Sequence, residues 1–260
     1  MSEFLDTHRD NARDILHDTL PRLLSGSVTH AELLRICESH RIVGIVGFLL
    51  DADPDELHGR LFDAGRAYLF GLGSMTGDEV IVSRALPLLD ALACRDDRGA
   101  LDIARLLAPV PWRADREYDD DFLFMAWLAQ WVREELAEGG RTTELKARIE
   151  LLTALEAVAN GAPRATLARA LEDGDGQTFG TALEALLDAY QAHQRLLVAR
   201  GAVSDEVAAT LPYLCVEGLA LLELAQRTGL RVALDHPAVP EFARARKAPP
   251  FSPNAWRTMR

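Results

Sequence analysis

A chain of 260 residues, 48% hydrophobic and 26% charged, has ordinary globular composition: long enough to bury a sizeable core and too apolar for disorder. Its formal net charge of −12 argues against a nucleic-acid partner, whose binding surface should be basic. Residues 242–260 hold Arg244, Arg246, Lys247, Arg257 and Arg260 and no acid, so this tail carries +5, and taking it from −12 leaves −17 on the body. An acidic body of that kind attracts and steers a basic partner.

In chain order, the opening residues MSEFLDTHRDNARD are charged and lack the apolar core of a signal peptide, which predicts a cytoplasmic chain. Ser25-Gly26-Ser27 closes a first helix, and Thr29 with Glu32 reads as a capping box for a second. The longest apolar stretch, Ile42–Leu50, is about half of the roughly 20 residues a spanning helix needs, so no membrane is expected. Asp51-Ala52-Asp53-Pro54 supplies a cap and an N1 proline for a third helix, whose buried stripe is Leu57, Leu61, Ala64 and Tyr68. Further breaks follow at Gly71–Gly77, Pro109–Pro111, Gly139-Gly140, Gly161–Pro163 and Glu172–Gly176. Between them run stripes at helical spacing: Leu145, Ile149, Leu152, Leu155 and Val158, then Phe179, Leu183, Leu186 and Tyr190.

Val80–Val82 and Arg231–Leu234 are the best short candidates for strands. The segment Leu211–Ala225 is apolar on nearly every face, as a helix surrounded by others would be, and belongs at the centre of the C-terminal half. The tail around Pro249, Pro250 and Pro253 is too proline-rich for helix and is expected to run extended over the surface. The fold predicted is all-α: about nine helices in an antiparallel bundle or solenoid-like stack. It divides into an N-terminal half (1–110), a C-terminal half (111–247) and the tail (248–260), forming one compact unit.

Candidate chemistry is sparse. Cys37, Cys94 and Cys215 are far apart among apolar residues and read as buried free thiols in a reducing compartment. His17-Asp18 has the form found in metal-dependent phosphohydrolases but lacks the upstream histidine that chemistry needs. Asp119, Asp120 and Asp121 are followed by Phe122, Leu123 and Phe124, so the next turn offers no magnesium ligand. Acids at a helix N-terminus, favoured by its dipole, explain them better. Asp173, Asp175, Gln177 and Glu184 fall at ligand positions of a calcium loop, yet Thr178 stands where that loop requires glycine; an interhelical turn capped by Thr178 is the simpler reading. His193, on the stripe of Tyr190 and Leu186, reads as a hydrogen-bonded core histidine. Neither a P-loop nor a Gly-x-Ser-x-Gly motif is present, and no cofactor, metal or catalytic residue is expected.

The C-terminal half, FGTALEALLDAYQAHQRLL (Phe179–Leu197) and LPYLCVEGLALLELAQRTGLRVALDHPAVPEF (Leu211–Phe242), resembles the bacterial polymorphic-toxin immunity proteins of family 49. The likeness lies in a helix of the form ALxxALxxH, an apolar helix ending in LAxxxGxxV, and a short segment with acid and proline. Tyr118-Asp119-Asp120-Asp121-Phe122, followed by Trp127 and Trp131, is similar to the family's acidic-aromatic segment, so the resemblance covers roughly residues 115–245. It implies an all-α antidote that binds a cognate toxin protein and occludes it. Trp112, Tyr118 and Trp256 are then candidate anchors, with Asp119, Asp120 and Asp121 as electrostatic guides. Composition leaves two other readings open: a helical scaffold or adaptor unrelated to toxins, and a helical-bundle enzyme whose carboxylates and histidines converge from distant helices.

Overall fold

The computed structural model describes residues 2–137, 145–245 and 251–258, and within them the expected all-α architecture holds. The chain is 73% helical, with no strand among the described residues. Helices α1 (Ser2–Leu24), α2 (His30–Asp51) and α3 (Pro54–Leu72) fold back on one another with α2 in the middle. Thr29 and Glu32 make the capping box their spacing predicts: each side chain accepts from the other's backbone N–H, at 3.3 and 2.8 Å. Asp53 caps α3 ahead of the N1 proline. A Cβ on Gly44 would meet the Arg60 Cβ at 2.8 Å, so α2 and α3 cross at a separation only glycine permits. Arg41 leaves this layer to donate twice to Asp90, at 2.8 and 2.7 Å.

The stretch between the Gly71–Gly77 turn and Pro109 departs from a single helix. Val82–Arg84 is a 3-10 turn rather than a strand, followed by α4 (Leu86–Ala93) and α5 (Asp97–Leu107). The break between them has no glycine or proline to announce it. Arg95 takes a left-handed conformation (φ 62°), and Asp96 caps α5 by accepting from the Gly99 N–H at 3.0 Å. That break makes ten helices of eight residues or more among the described residues, where about nine were expected.

The second half continues through α6 (Asp119–Glu135), α7 (Leu145–Val158), α8 (Pro163–Asp173) and α9 (Gly176–Ala199). Asp175, not Thr178, caps α9, accepting from the Gln177 and Thr178 N–H groups at 3.1 and 3.0 Å. The Gly139-Gly140 turn lies outside the described residues. At the join of α6, α7 and α8, the buried Arg148 lies 3.0 Å from Glu134, 3.2 Å from Glu135 and 2.9 Å from Glu172. Trp127 donates its indole N–H to Glu172 at 3.1 Å.

After the single turn α10 (Asp205–Ala208), the apolar segment breaks where Pro212 sits in a 3-10 turn (Leu211–Tyr213); Cys215 then caps α11 (Val216–Arg227). The run Asp205–Arg227 matches a membrane span in length and in its mean hydropathy of 1.6, yet 67% of its apolar window is buried inside the protein, so it serves as core. A Cβ on Gly218 would meet Leu187 at 2.6 Å and Val239 at 2.8 Å, which measures how tightly α11 is held. Arg231–Leu234 is irregular rather than a strand. All three cysteines are free and buried; burial pushes the Cys215 thiol up to about 12.

Candidate interaction surface

Eleven residues, 108–118, join α5 to α6 without regular structure. They are folded by one buried carboxylate: Glu117 accepts from the Ser83 N–H at 2.7 Å and the Arg113 N–H at 3.2 Å, and Arg113 in turn pairs with Asp78. With Glu117 turned inward, the loop leaves Trp112 44% and Tyr118 79% exposed. Exposed aromatics on a pinned loop are unusual, because their large apolar faces gain nothing from water and much from a partner. Asp119 and Asp120 follow, both exposed, in the first turn of α6, where the helix dipole favours them.

Asp121 has a different role. It accepts from Arg164 at 2.6 Å, and Arg164 also donates twice to Glu217, at 2.7 and 2.8 Å, with its guanidinium 5.1 Å over the Phe124 ring. Glu217 and Asp121 outweigh burial at Arg164 and hold its proton more tightly than usual. This cluster forms one wall of a cleft of about 300 Å³, which Asp120 edges and Tyr190 and His193 line. Leu155, Leu186 and Pro163 supply an apolar side. Tyr190 donates to the Leu211 carbonyl at 2.9 Å, and burial raises its hydroxyl above the ordinary tyrosine range. His193 is exposed on the cleft rather than a core histidine, because the helical stripe turns to bury Gln194 instead. An acidic rim with an apolar wall suits a lysine or arginine side chain, whose stem is apolar and whose head is charged.

Trp256 does not join this surface. It is 3% exposed, its ring 5.2 Å from Phe70 on α3, and Arg257 covers both rings at 5.3 Å. Phe251 packs against Phe62 at 5.4 Å and would touch any side chain placed at Gly59. The described part of the tail thus folds onto α3 and takes a 3-10 turn at Ala255–Arg257, where an extended course had been expected. Pro249 and Pro250 lie outside the described residues. The aromatics of the tail serve the fold, and Trp256 as an exposed anchor is corrected accordingly.

The remaining motifs resolve locally. His17 and Asp18 are both 82% exposed on α1, 3.5 Å apart. Asp175 is committed to its cap. Among the described residues no group of three or more histidine, cysteine, aspartate or glutamate side chains is placed to hold a metal ion. Sequence reasoning missed Arg164, Glu217 and Glu117, because each draws its meaning from a partner on another element, and it read Tyr190 only as part of an apolar stripe.

Geometry defines the class first: an all-α helical stack with an acidic-aromatic edge. Comparison with known families makes it specific. The family described as Immunity protein 49 matches residues 69–243, two thirds of the chain, and the chain belongs to that family. The match begins well before residue 115, so α4, α5 and the Trp112 loop lie inside it, while α1, α2 and most of α3 precede it. Membership makes this an immunity protein directed against a toxin. No curated protein and no solved structure matches the chain.

Proposed function

We propose that the chain neutralises its cognate toxin by direct, stoichiometric binding that occludes it, in the cytoplasm of the cell that makes both. The contact surface we assign is the edge formed by Trp112, Tyr118, Asp119 and Asp120, with the cleft beside it receiving a basic side chain of the toxin. One observation carries this reading: two large aromatics stand exposed on a loop whose fold is fixed by a buried carboxylate, so their exposure is built in. A stable complex needs roughly 800 Å² per partner, with a few central anchors dominating the energy. Asp121 acts at one remove by holding Arg164 in the cleft wall.

The test is co-expression with the toxin encoded beside this gene. The wild-type chain should restore growth, and protection should saturate at one chain per toxin. Trp112→Ala with Tyr118→Ala should cut protection sharply while leaving the thermal melt unchanged. Protection by far fewer chains than toxins would indicate a catalytic antidote, and full protection by the double variant would remove this edge from the contact.

A further inference from the structure

The C-terminal half of α11 opens on a second cleft, of about 440 Å³, whose charge is opposite to the net charge of the chain. Three arginines line it, Arg95, Arg231 and Arg244, and the one acid among its lining residues is Glu223. Glu223 is already engaged twice, by Arg95 at 2.8 Å and by Arg227 at 3.2 Å, and Arg227 is further tied to Asp97 at 2.6 Å. Arg231 is exposed and has no ion pair among the described residues. Among the described residues Arg244 makes one long bond, 3.4 Å to the Leu234 carbonyl, and its buried Nε has no hydrogen-bond partner. Two guanidiniums with no carboxylate partner among the described residues, beside an apolar floor that includes Leu219 and Leu222, form a local positive site on a chain of net charge −12.

The walls are held in place. Arg95 points from a left-handed backbone (φ 62°), a conformation that costs a non-glycine residue about 1–2 kcal/mol and that persists where the surroundings enforce it. Residues 228–240, thirteen without regular structure, supply Leu230, Arg231, Val232 and Ala233 to the far wall. They are pinned where Cys215 donates its N–H to the Ala238 carbonyl at 2.8 Å and where the His236 ring accepts from the Ala238 N–H at 3.1 Å. Irregular segments of this length inside a folded unit usually carry function. Along α11, Glu217 at the acidic cleft and Gln226 at this one are nine positions apart, about 14 Å at 1.5 Å per residue. One central helix thus ends in two clefts of opposite sign.

We propose that the arginine-lined cleft binds a carboxylate-bearing, acidic peptide segment of the toxin. The guanidinium fork matches carboxylate geometry, and the apolar floor suits a peptide more than a bare ion. A pair of opposite-signed clefts also fixes the orientation in which the partner docks. The proposal rests on the toxin-binding reading only in naming the toxin as the source of the segment.

The probe is fluorescein-labelled hexaglutamate, followed by fluorescence anisotropy on the full chain, with hexalysine and inorganic phosphate as comparisons. A chain at −12 repels a polyanion overall, but its tail carries +5, so hexaglutamate binding is assigned to the cleft by its loss in Arg231→Glu. We expect binding that weakens as salt rises. Arg231→Glu, at an exposed position that should fold normally, should weaken it at least about tenfold. Asp119→Lys with Asp120→Lys should leave the specific site intact. Absence of hexaglutamate binding, or equal binding by Arg231→Glu, overturns the cleft and leaves the toxin reading untouched, because no toxin is in the assay. Displacement by phosphate at equal charge concentration overturns the peptide in favour of a simple oxyanion. An Arg231→Glu chain that no longer binds hexaglutamate yet protects cells fully overturns the toxin as its source.

Discussion

The helices ahead of the family-matched region and those within it differ in the polar groups they bury, apart from the Arg41–Asp90 pair that joins the two. In the α1–α3 layer the characteristic buried group is a histidine: His40 with no hydrogen-bond partner among the described residues, His30 at 3.2 Å from Tyr68, and His58 at 2.9 Å from the Ala243 carbonyl, with burial disfavouring the charged form of His30 and His40. In the matched region it is a charged arginine among carboxylates: Arg148, buried between α6, α7 and α8, with the half-buried Arg164 making a similar cluster between α6, α8 and α11. A neutral buried ring is cheap to hold until acid offers it a proton. A buried ion pair is indifferent to mild acid and collapses when one partner is removed. Each half therefore has its own weak point.

The largest effect belongs to the arginine side of the comparison. Arg148→Ala would strand Glu134 and Glu172, both buried, and should cost about 3–5 kcal/mol in urea unfolding. A loss below about 1 kcal/mol would mean those carboxylates find other partners, and the contrast would weaken. Next comes the tail, whose aromatics fasten residues beyond the match to a helix that mostly precedes it. Trp256→Ala empties the contact with Phe70 and should cost about 3 kcal/mol, read as a lower thermal midpoint. An unchanged midpoint would show the tail to be decoration rather than a clamp.

The histidine side is tested with acid. Burial pushes His30 down to about 4, with Arg84 helping, and His40 down to about 3, with Arg60 helping. Unfolded, both return to about 6.5, so between that value and their native ones the unfolded chain binds protons the folded chain does not. Stability is full above about pH 6.5 and is lost as pH falls, by about 3 kcal/mol for the two together on reaching pH 5. Asp63 works the other way: burial raises it to about 6, so the folded chain gains its proton first and offsets about 1 kcal/mol. The net expectation is a loss of about 2 kcal/mol between pH 6.5 and 5. His40→Leu should flatten that slope by roughly half of the histidine share, and a flat profile in the wild-type chain would end the distinction between the halves.

Sequence made the helices legible because their signals are local: the Thr29–Glu32 box, Asp53-Pro54 and the apolar stripes each stand within a few residues. It made the α4–α5 break illegible, since Arg95 is left-handed without being glycine and is held there by contacts 128 residues away in sequence, with Glu223. The candidate surface divides the same way. Tyr118, Asp119 and Asp120 could be picked out by type and helix position, but their neighbour Asp121 could not be told from them until Arg164 was seen beside it. Trp256 misled for the same reason: a tryptophan in a proline-rich tail looks exposed until the ring it packs on is known.

The smallest effect on stability is the most informative about function. Asp119→Lys with Asp120→Lys reverses two exposed charges that the α6 dipole favours, which should cost about 1–2 kcal/mol of folding stability. If the acidic edge steers a basic patch of the toxin, the same change should slow association several-fold at low salt and leave dissociation nearly unaltered, because exposed charges act on encounter more than on the docked complex. Stopped-flow mixing separates the two rates. A change confined to dissociation would move these aspartates from the rim into the contact itself. An unchanged pair of rates would leave Trp112 and Tyr118 to carry the edge without electrostatic guidance.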